Sequence, residues 1–335
     1  MADTGKISRE FFVEYLAPRL GASREDVRLG PKHGVDFGII ETGEQAVVIA
    51  SDPISILPGL GFERAGRFAI RFVLADVAVS GLAPTHLAVS FSLPPEMTDA
   101  EFAAVWDGIH RECQELGVAV VTGHTARYSG CSFPWVGAGT ALALGPSDRI
   151  LRPDGAQPGD SLIITNGPAV ETTGLLTSLF PDRIDLPEST LATAQERLSD
   201  TGVVRDAQLA AAAGARAMHD ATEGGLLGAL FEMAASAGVR LEITAHDVPM
   251  LPGVRETCET LGIDPWKATT GGTLVIAAPP NCATAIVSAL EAEGTPAAVV
   301  GRVETGSGVD VDGDAKTRPT KDASWAAYER LSREG

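Results

Sequence analysis

The chain has 335 residues, enough for two domains with separate cores. Its formal charge of −18 excludes unassisted binding to nucleic acid or anionic lipid, both of which need clustered Lys and Arg, and no run of about 18 apolar residues offers a membrane span. Cys113, Cys131, Cys258 and Cys282 are scattered with no C-x-x-C pair, which excludes a zinc ribbon or a secreted disulfide framework and fits a reducing cytoplasm.

The segment Met1 to Arg9 is polar and lacks an apolar signal core. Lysine is confined to Lys6, Lys32, Lys267, Lys316 and Lys321 while acids and alanine abound, the balance of a surface solvated in high salt. Phe12, Val13, Leu16 and Leu20 are spaced for an amphipathic helix over Phe11 to Leu20, ended by Gly21. Gly30 to Ile40 reads as a glycine-rich loop entering a strand, and Gln45 to Ala50 as a second strand that stops at Ser51-Asp52-Pro53. Each strand thus has an aspartate at one end, Asp36 and Asp52, a position more often held by a turn former than by a ligand.

Arg64 to Ser80 is apolar nearly all round and predicts a buried helix stopped by Gly81 and Pro84. An ionised Asp76 within it costs several kcal/mol unless an arginine such as Arg71, backbone donors or a metal ion meets it. A strand over His86 to Leu93, a helix over Asp99 to Leu116 after Thr98, a strand from Val118 that delivers Thr122-Gly123-His124-Thr125, and a strand over Trp135 to Leu144 complete an α/β alternation. Pro146 to Gly159, rich in Pro, Gly and Asp, marks a boundary between residues 1–150 and 151–335.

The second half opens on Gly159-Asp160, a strand through Ile164 and the turn Thr165-Asn166-Gly167-Pro168. A polar surface excursion over Asp182 to Asp200 and an alanine-rich helix over Gln208 to Met218 lead to His219-Asp220-Ala221-Thr222-Glu223-Gly224-Gly225. Leu226, Leu227, Leu230, Phe231 and Met233 then recur at helical spacing up to Gly238, and Arg240 to Ile243 is a strand. An acid, a hydroxyl and a glycine pair at a helix start let free N–H groups and the positive helix end face a phosphate. The same glycines equally let a helix pack close to a sheet. Further on come a turn and strand over Thr269 to Ala277, a helix over Ala283 to Glu293 and a strand over Ala297 to Val303. The alternating acids of Thr305 to Asp314 miss the EF-hand spacing and read as a solvated hairpin. There is no P-loop, and Gly59 to Gly66 has the wrong spacing for a dinucleotide fingerprint.

Taken in order over residues 30–303, these segments resemble the AIR synthase (PurM-like) superfamily, nearest the branch of the hydrogenase maturation factor HypE. Asp220 to Gly225 is similar to its Asp-x-Thr-x-Gly-Gly segment, Asp76 to Pro84 to its Asp-x-Ala-x-x-Gly-Ala-x-Pro segment, and Gly271 to Leu274 to the end of its Ser-Gly-Thr-Leu turn. The resemblance implies a two-domain α/β (α+β) PurM-like fold. An N-terminal domain, 1–150, forms the sheet of a homodimer and binds ATP and Mg²⁺, and a C-terminal domain, 151–335, completes the site. It implies Asp36, Asp52 and Asp76 as metal ligands, Gly34, Asp36, Gly123, Thr125, Gly224 and Gly225 against the nucleotide, and Asp220, Thr222 and His124 at the reacting end. Val35 stands where relatives have the first of two acids, and His124 where they often have Asp.

The implied chemistry is ATP-driven phosphorylation or activation of an amide, carbonyl or phosphate oxygen on an unidentified acceptor. A homodimer is also expected because the N-terminal strands and the Arg64 to Ser80 helix have more apolar surface than one small domain covers. A thiamine-monophosphate kinase-like or AIR synthase-like small-molecule enzyme, and a nucleotide-binding regulator without turnover, stay open. Self-modification at a C-terminal cysteine, as HypE uses, is not expected, because Cys282 is the last cysteine and the sequence given ends Arg330 to Gly335. Selenophosphate synthesis is disfavoured because the N-terminal glycine-rich segment has no Cys.

Overall fold

The computed structural model describes residues 7–32 and 34–333. Its first helical segment is less regular than expected: α1 (Arg9–Phe11) runs into a π-helical turn over Phe12–Leu16 and a 3₁₀ turn over Ala17–Arg19. Pro18 has no N–H with which to continue a helical ladder. Phe11, Val13 and Tyr15 stand half exposed along the segment.

The first sheet has the order β1-β2-β3-β6-β4-β5, from β1 (Val27–Leu29), β2 (Gly38–Thr42), β3 (Gln45–Ser55), β4 (His86–Leu93), β5 (Ala119–Arg127) and β6 (Trp135–Pro146). Only the β4–β5 pair is parallel. α2 (Phe62–Ala78) and α3 (Asp99–Leu116) cover one face, and α3 begins on a Thr98–Glu101 capping box. Side chains alternate with the period of two: Ala46, Val48, Ala50 and Ile54 are buried toward the helices. On the other face Ser51, Pro53, Ser90, Ala138 and Leu144 are exposed. The apolar surplus expected on the Arg64 to Ser80 helix is absent, because α2 shares its core with the sheet, α3 and residues of the second half. The surplus lies on the open sheet face, where Trp135 is 58% and Leu144 52% exposed. Nor does Arg71 serve Asp76: its Nε is 2.9 Å from Glu112 Oε1, and its Nη1 donates to the Ser199 carbonyl at 2.9 Å.

The second half contains α4 (Val170–Leu179), α5 (Glu188–Glu196), α6 (Val204–Ala212), α7 (Gly225–Ala237), α8 (Val254–Leu261), α9 (Pro280–Ala292) and α10 (Ala323–Arg333). Its strands are β7 (Ser161–Thr165), β8 (Ala217–Ala221), β9 (Arg240–Ile243), β10 (Thr273–Ala278), β11 (Ala297–Glu304), β12 (Gly308–Val311) and β13 (Asp314–Ala315), in the order β13-β12-β9-β11-β7-β10-β8. Here both faces are enclosed, so β8 and β10 are buried throughout. Leu162, Ile164, Val275 and Ala277 pack with Leu226, Leu230 and Met233 of α7. Ile163, Leu274 and Ile276 point the other way and join α6, α9 and the core of α2 in one cluster spanning both halves.

The alanine-rich run does not stay helical to Met218. Pairing of Ala217 with Ala277 and Met218 with Ile276 draws those residues into β8, and tertiary pairing overrides alanine's weak helical preference. The expected hairpin forms as β12–β13, with β12 also parallel to β9. No helix among the described residues is long and apolar enough to cross a membrane.

Candidate functional site

Asp36 stands two residues before β2, whose first residue Gly38 pairs with Ile49 of β3. The chain therefore leaves the first sheet toward the end of β3 that carries Asp52. From there the loop crosses to α7. The Gly34 carbonyl accepts the Ser236 hydroxyl at 3.1 Å. A Cβ on Gly34 would lie 3.3 Å from Glu232 Cβ and Cγ, at φ +77°, so glycine allows this close approach.

That crossing delivers Asp36 to the end of β8, where one ligand atom each of Asp36, His219 and Asp220 lie within 4.8 Å of one another. Asp36 Oδ2 is buried and, among the described residues, accepts no hydrogen bond. It lies 3.6 Å from His219 Nδ1. His219 is 1% and Asp220 4% exposed. His219 Nδ1 approaches the Asp220 carbonyl oxygen at 2.6 Å; a carbonyl only accepts, so this nitrogen carries a hydrogen. His219 Nε2 pairs with Glu232 Oε2 at 3.3 Å, at an angle that misses a hydrogen bond. Glu232 is held in turn by Arg318 at 2.6 Å. Burial alone lowers the His219 pKa, but Asp36, Glu232 and Asp220 outweigh it and raise it to about 10. The ring is then a cation among three carboxylates.

A hard divalent cation such as Mg²⁺ takes carboxylate oxygens and keeps several waters. A buried carboxylate oxygen without a donor, beside a second carboxylate, fits that need. The pair Asp36 and Asp220 could hold Mg²⁺, whereas His219, with Nδ1–H committed and Nε2 turned to Glu232, is not a ligand.

The glycine turn just beyond is built differently. Gly224 and Gly225 are left-handed at φ +89° and +67°. The Gly224 N–H donates to Asp322 Oδ2 at 2.7 Å and the Gly225 N–H to the Thr222 carbonyl at 3.0 Å. Asp322 also accepts the Thr269 hydroxyl at 2.8 Å and the Ser324 N–H at 2.8 Å, so one carboxylate joins this turn to the start of α10. A Cβ on Gly225 would lie 2.6 Å from the Ala268 carbonyl oxygen. The turn presents neither glycine amide to a phosphate, and Gly225 serves close packing. Beneath it, burial pushes Glu171 up to about 8, against the Gly271 N–H that its carboxylate accepts and with Asp322 adding to the rise.

The remaining expected residues, Thr222 apart, lie elsewhere. Asp52 on β3 and Asp76 on α2 are half-buried and stand outside the Asp36 group among the described residues. Gly123, His124 and Thr125 lie exposed on the edge strand β5, where His124 Nε2 is 3.0 Å from the Tyr128 hydroxyl. Thr222 is half-buried in the turn. Sequence reasoning missed His219, Glu232, Arg318 and Asp322 as site residues. A His-Asp pair closing an otherwise apolar strand was a usable signal for the first. Arg318 and Asp322 gave none, since their partners stand 86 and 98 residues away.

Fold and site together define a two-domain α/β protein with one open and one enclosed sheet and a carboxylate corner, suited to a divalent cation, where the halves meet. The AIR synthase related protein N-terminal domain matches residues 34–142 and the corresponding C-terminal domain residues 157–314. The chain belongs to the AIR synthase related family, a family of enzymes, in its HypE-like branch. Carbamoyl dehydratase HypE of Azotobacter vinelandii is 28% identical over 296 residues, spanning 86% of this chain and 84% of that protein. The crystal structure of Escherichia coli HypE, a hydrogenase maturation protein, is similar with a TM-score of 0.71 at 27% identity, covering 82% and 86% of the two chains. AaThiL complexed with AMPPCP and TMP shares the fold with a TM-score of 0.74 at 21% identity, covering 96% and 99%.

Proposed function

We propose that this protein is an ATP-dependent enzyme that phosphorylates or otherwise activates an oxygen of a small-molecule or protein acceptor. The observation that carries the reading is the buried, donor-less Asp36 Oδ2 beside Asp220, in a chain whose relatives include a carbamoyl dehydratase. Asp36 and Asp220 hold Mg²⁺ in this reading, with Asp52 and Asp76 completing its surroundings. Bound Mg·ATP supplies the phosphoryl group and the cation that neutralises its charge. Gly34 lets the loop backbone pass close to α7. Gly123 and Thr125 line the nucleotide from β5, His124 meets its phosphates, and Thr222 orients the acceptor. The exposed Trp135 and Leu144 on the open sheet face support a homodimer formed through that face.

Calorimetric titration of ATP with and without Mg²⁺, beside an assay of ADP release, tests the reading. Mg²⁺-dependent ATP binding with slow ADP release is expected in the absence of acceptor. Binding that ignores Mg²⁺ would remove the metal assignment, and binding without any turnover across acceptors would favour a regulator. Light scattering should give a dimer that Leu144→Arg converts to a monomer; a monomeric wild type in high salt would refute the interface.

A further inference from the structure

The Asp36 loop reaches its place through α7, in the other half of the molecule. Three contacts make the attachment: Ser236 Oγ on the Gly34 carbonyl at 3.1 Å, Glu232 against the Gly34 Cα side at 3.3 Å from where a Cβ would stand, and His219 opposite Asp36 at 3.6 Å. Behind His219 the chain of charges continues outward through Glu232, at 3.3 Å, to Arg318, at 2.6 Å from Glu232. The ring cannot swing freely, because Nδ1–H is spent on the Asp220 carbonyl and Nε2 faces Glu232. Without a cation between them, three carboxylates in a site this buried would repel one another.

We propose that His219 is a positioning residue: clamped from behind by Glu232 and Arg318, it pins the Asp36 loop onto the C-terminal half and sets the Asp36–Asp220 separation at which the two carboxylates share one divalent cation. This deepens the function proposed above and rests on Asp36 and Asp220 being metal ligands. Two contributions of the ring can be told apart. A charge on it would repel the metal, so deleting it would tighten binding if that were its only contribution. Its hold on Asp36 pre-organises the ligands, so deleting it would weaken binding if position were its contribution. The sign of the change in metal affinity separates the two.

The experiment measures Mn²⁺ affinity by calorimetry in the presence of a non-hydrolysable ATP analogue, with amide hydrogen exchange over residues 35–38, for wild type, His219→Gln, Ser236→Ala and Asp36→Asn. His219→Gln should bind Mn²⁺ about tenfold more weakly, with faster exchange at 35–38. Ser236→Ala removes the second tether at little risk to folding and should move both readouts the same way, by about threefold in affinity. Mn²⁺ binding equal to or tighter than wild type in both variants, with unaltered exchange, overturns the proposal. If Asp36→Asn keeps wild-type Mn²⁺ affinity, the metal assignment falls on its own, and exchange in His219→Gln still decides whether His219 holds the loop.

Discussion

Asp220 and Gly224 are four positions apart, yet they close two corners of opposite character. At the first, Asp36 Oδ2 is buried without a donor among the described residues, and carboxylates crowd around one imidazole ring. At the second, both glycine amides are engaged and one carboxylate, Asp322, gathers donors from three segments. A glycine pair at a helix start resembles an anion cradle, but here the anion is the chain's own side chain. Buried polar groups are normally satisfied, so in the function proposed above the unsatisfied corner is the one shaped for a ligand and the satisfied one for stability.

Changes at the sealed corner should therefore lower stability and leave nucleotide binding alone. Gly225→Ala should have the largest effect, on the order of 3 kcal/mol or more by denaturant unfolding, because the added Cβ meets backbone atoms at 2.6 Å and 2.8 Å that no rotamer can move. Asp322→Ala follows at about 2 kcal/mol, since it uncaps α10 and strands the half-buried Gly224 N–H. If either variant instead keeps its melting temperature and loses ATP affinity, the two corners have been assigned the wrong way round.

Glu171 sharpens the contrast through pH. In the folded protein it keeps its proton up to about pH 8, whereas in the unfolded chain it ionises near the ordinary 4.5. The folded state then binds the extra proton between those values, so this group makes stability fall as pH rises from about 4.5 to about 8. Melting curves over that window should slope downward, and Glu171→Gln should make them shallower, most clearly below about pH 6.5, above which His219 adds a downward slope of its own; an equal slope in the variant would assign the effect to another group. The smallest effect belongs to Gly224→Ala. Its nearest neighbour would be Gly228 Cα at 3.6 Å, so only the left-handed φ opposes it, at about 1 kcal/mol. A steric loss of ATP binding there would restore the glycine cradle.

Period and caps made most of the fold legible. β4, α3 and β9 fall where apolar alternation, Thr98 and the Gly238 stop predict them. β8 was hidden because Ala217 and Met218 favour helix locally and become strand only by pairing with β10. Asp36 and Asp220 were legible as site acids through the family motif. Their direct meeting was not, because it depends on a loop crossing from one sheet to the helix of the other. His219 announced itself only as a polar residue in an apolar strand, and Asp322 is defined by contacts that no local pattern encodes.

The central claim is that the cation site lies between Asp36 and Asp220. Anomalous diffraction from crystals grown with Mn²⁺ and a non-hydrolysable ATP analogue tests it most directly. A manganese peak within ligand distance of both carboxylates, with Gly224 still bonded to Asp322, is the predicted result. A nucleotide phosphate seated on the Gly224 and Gly225 amides in place of Asp322, with no manganese at Asp36, would contradict it.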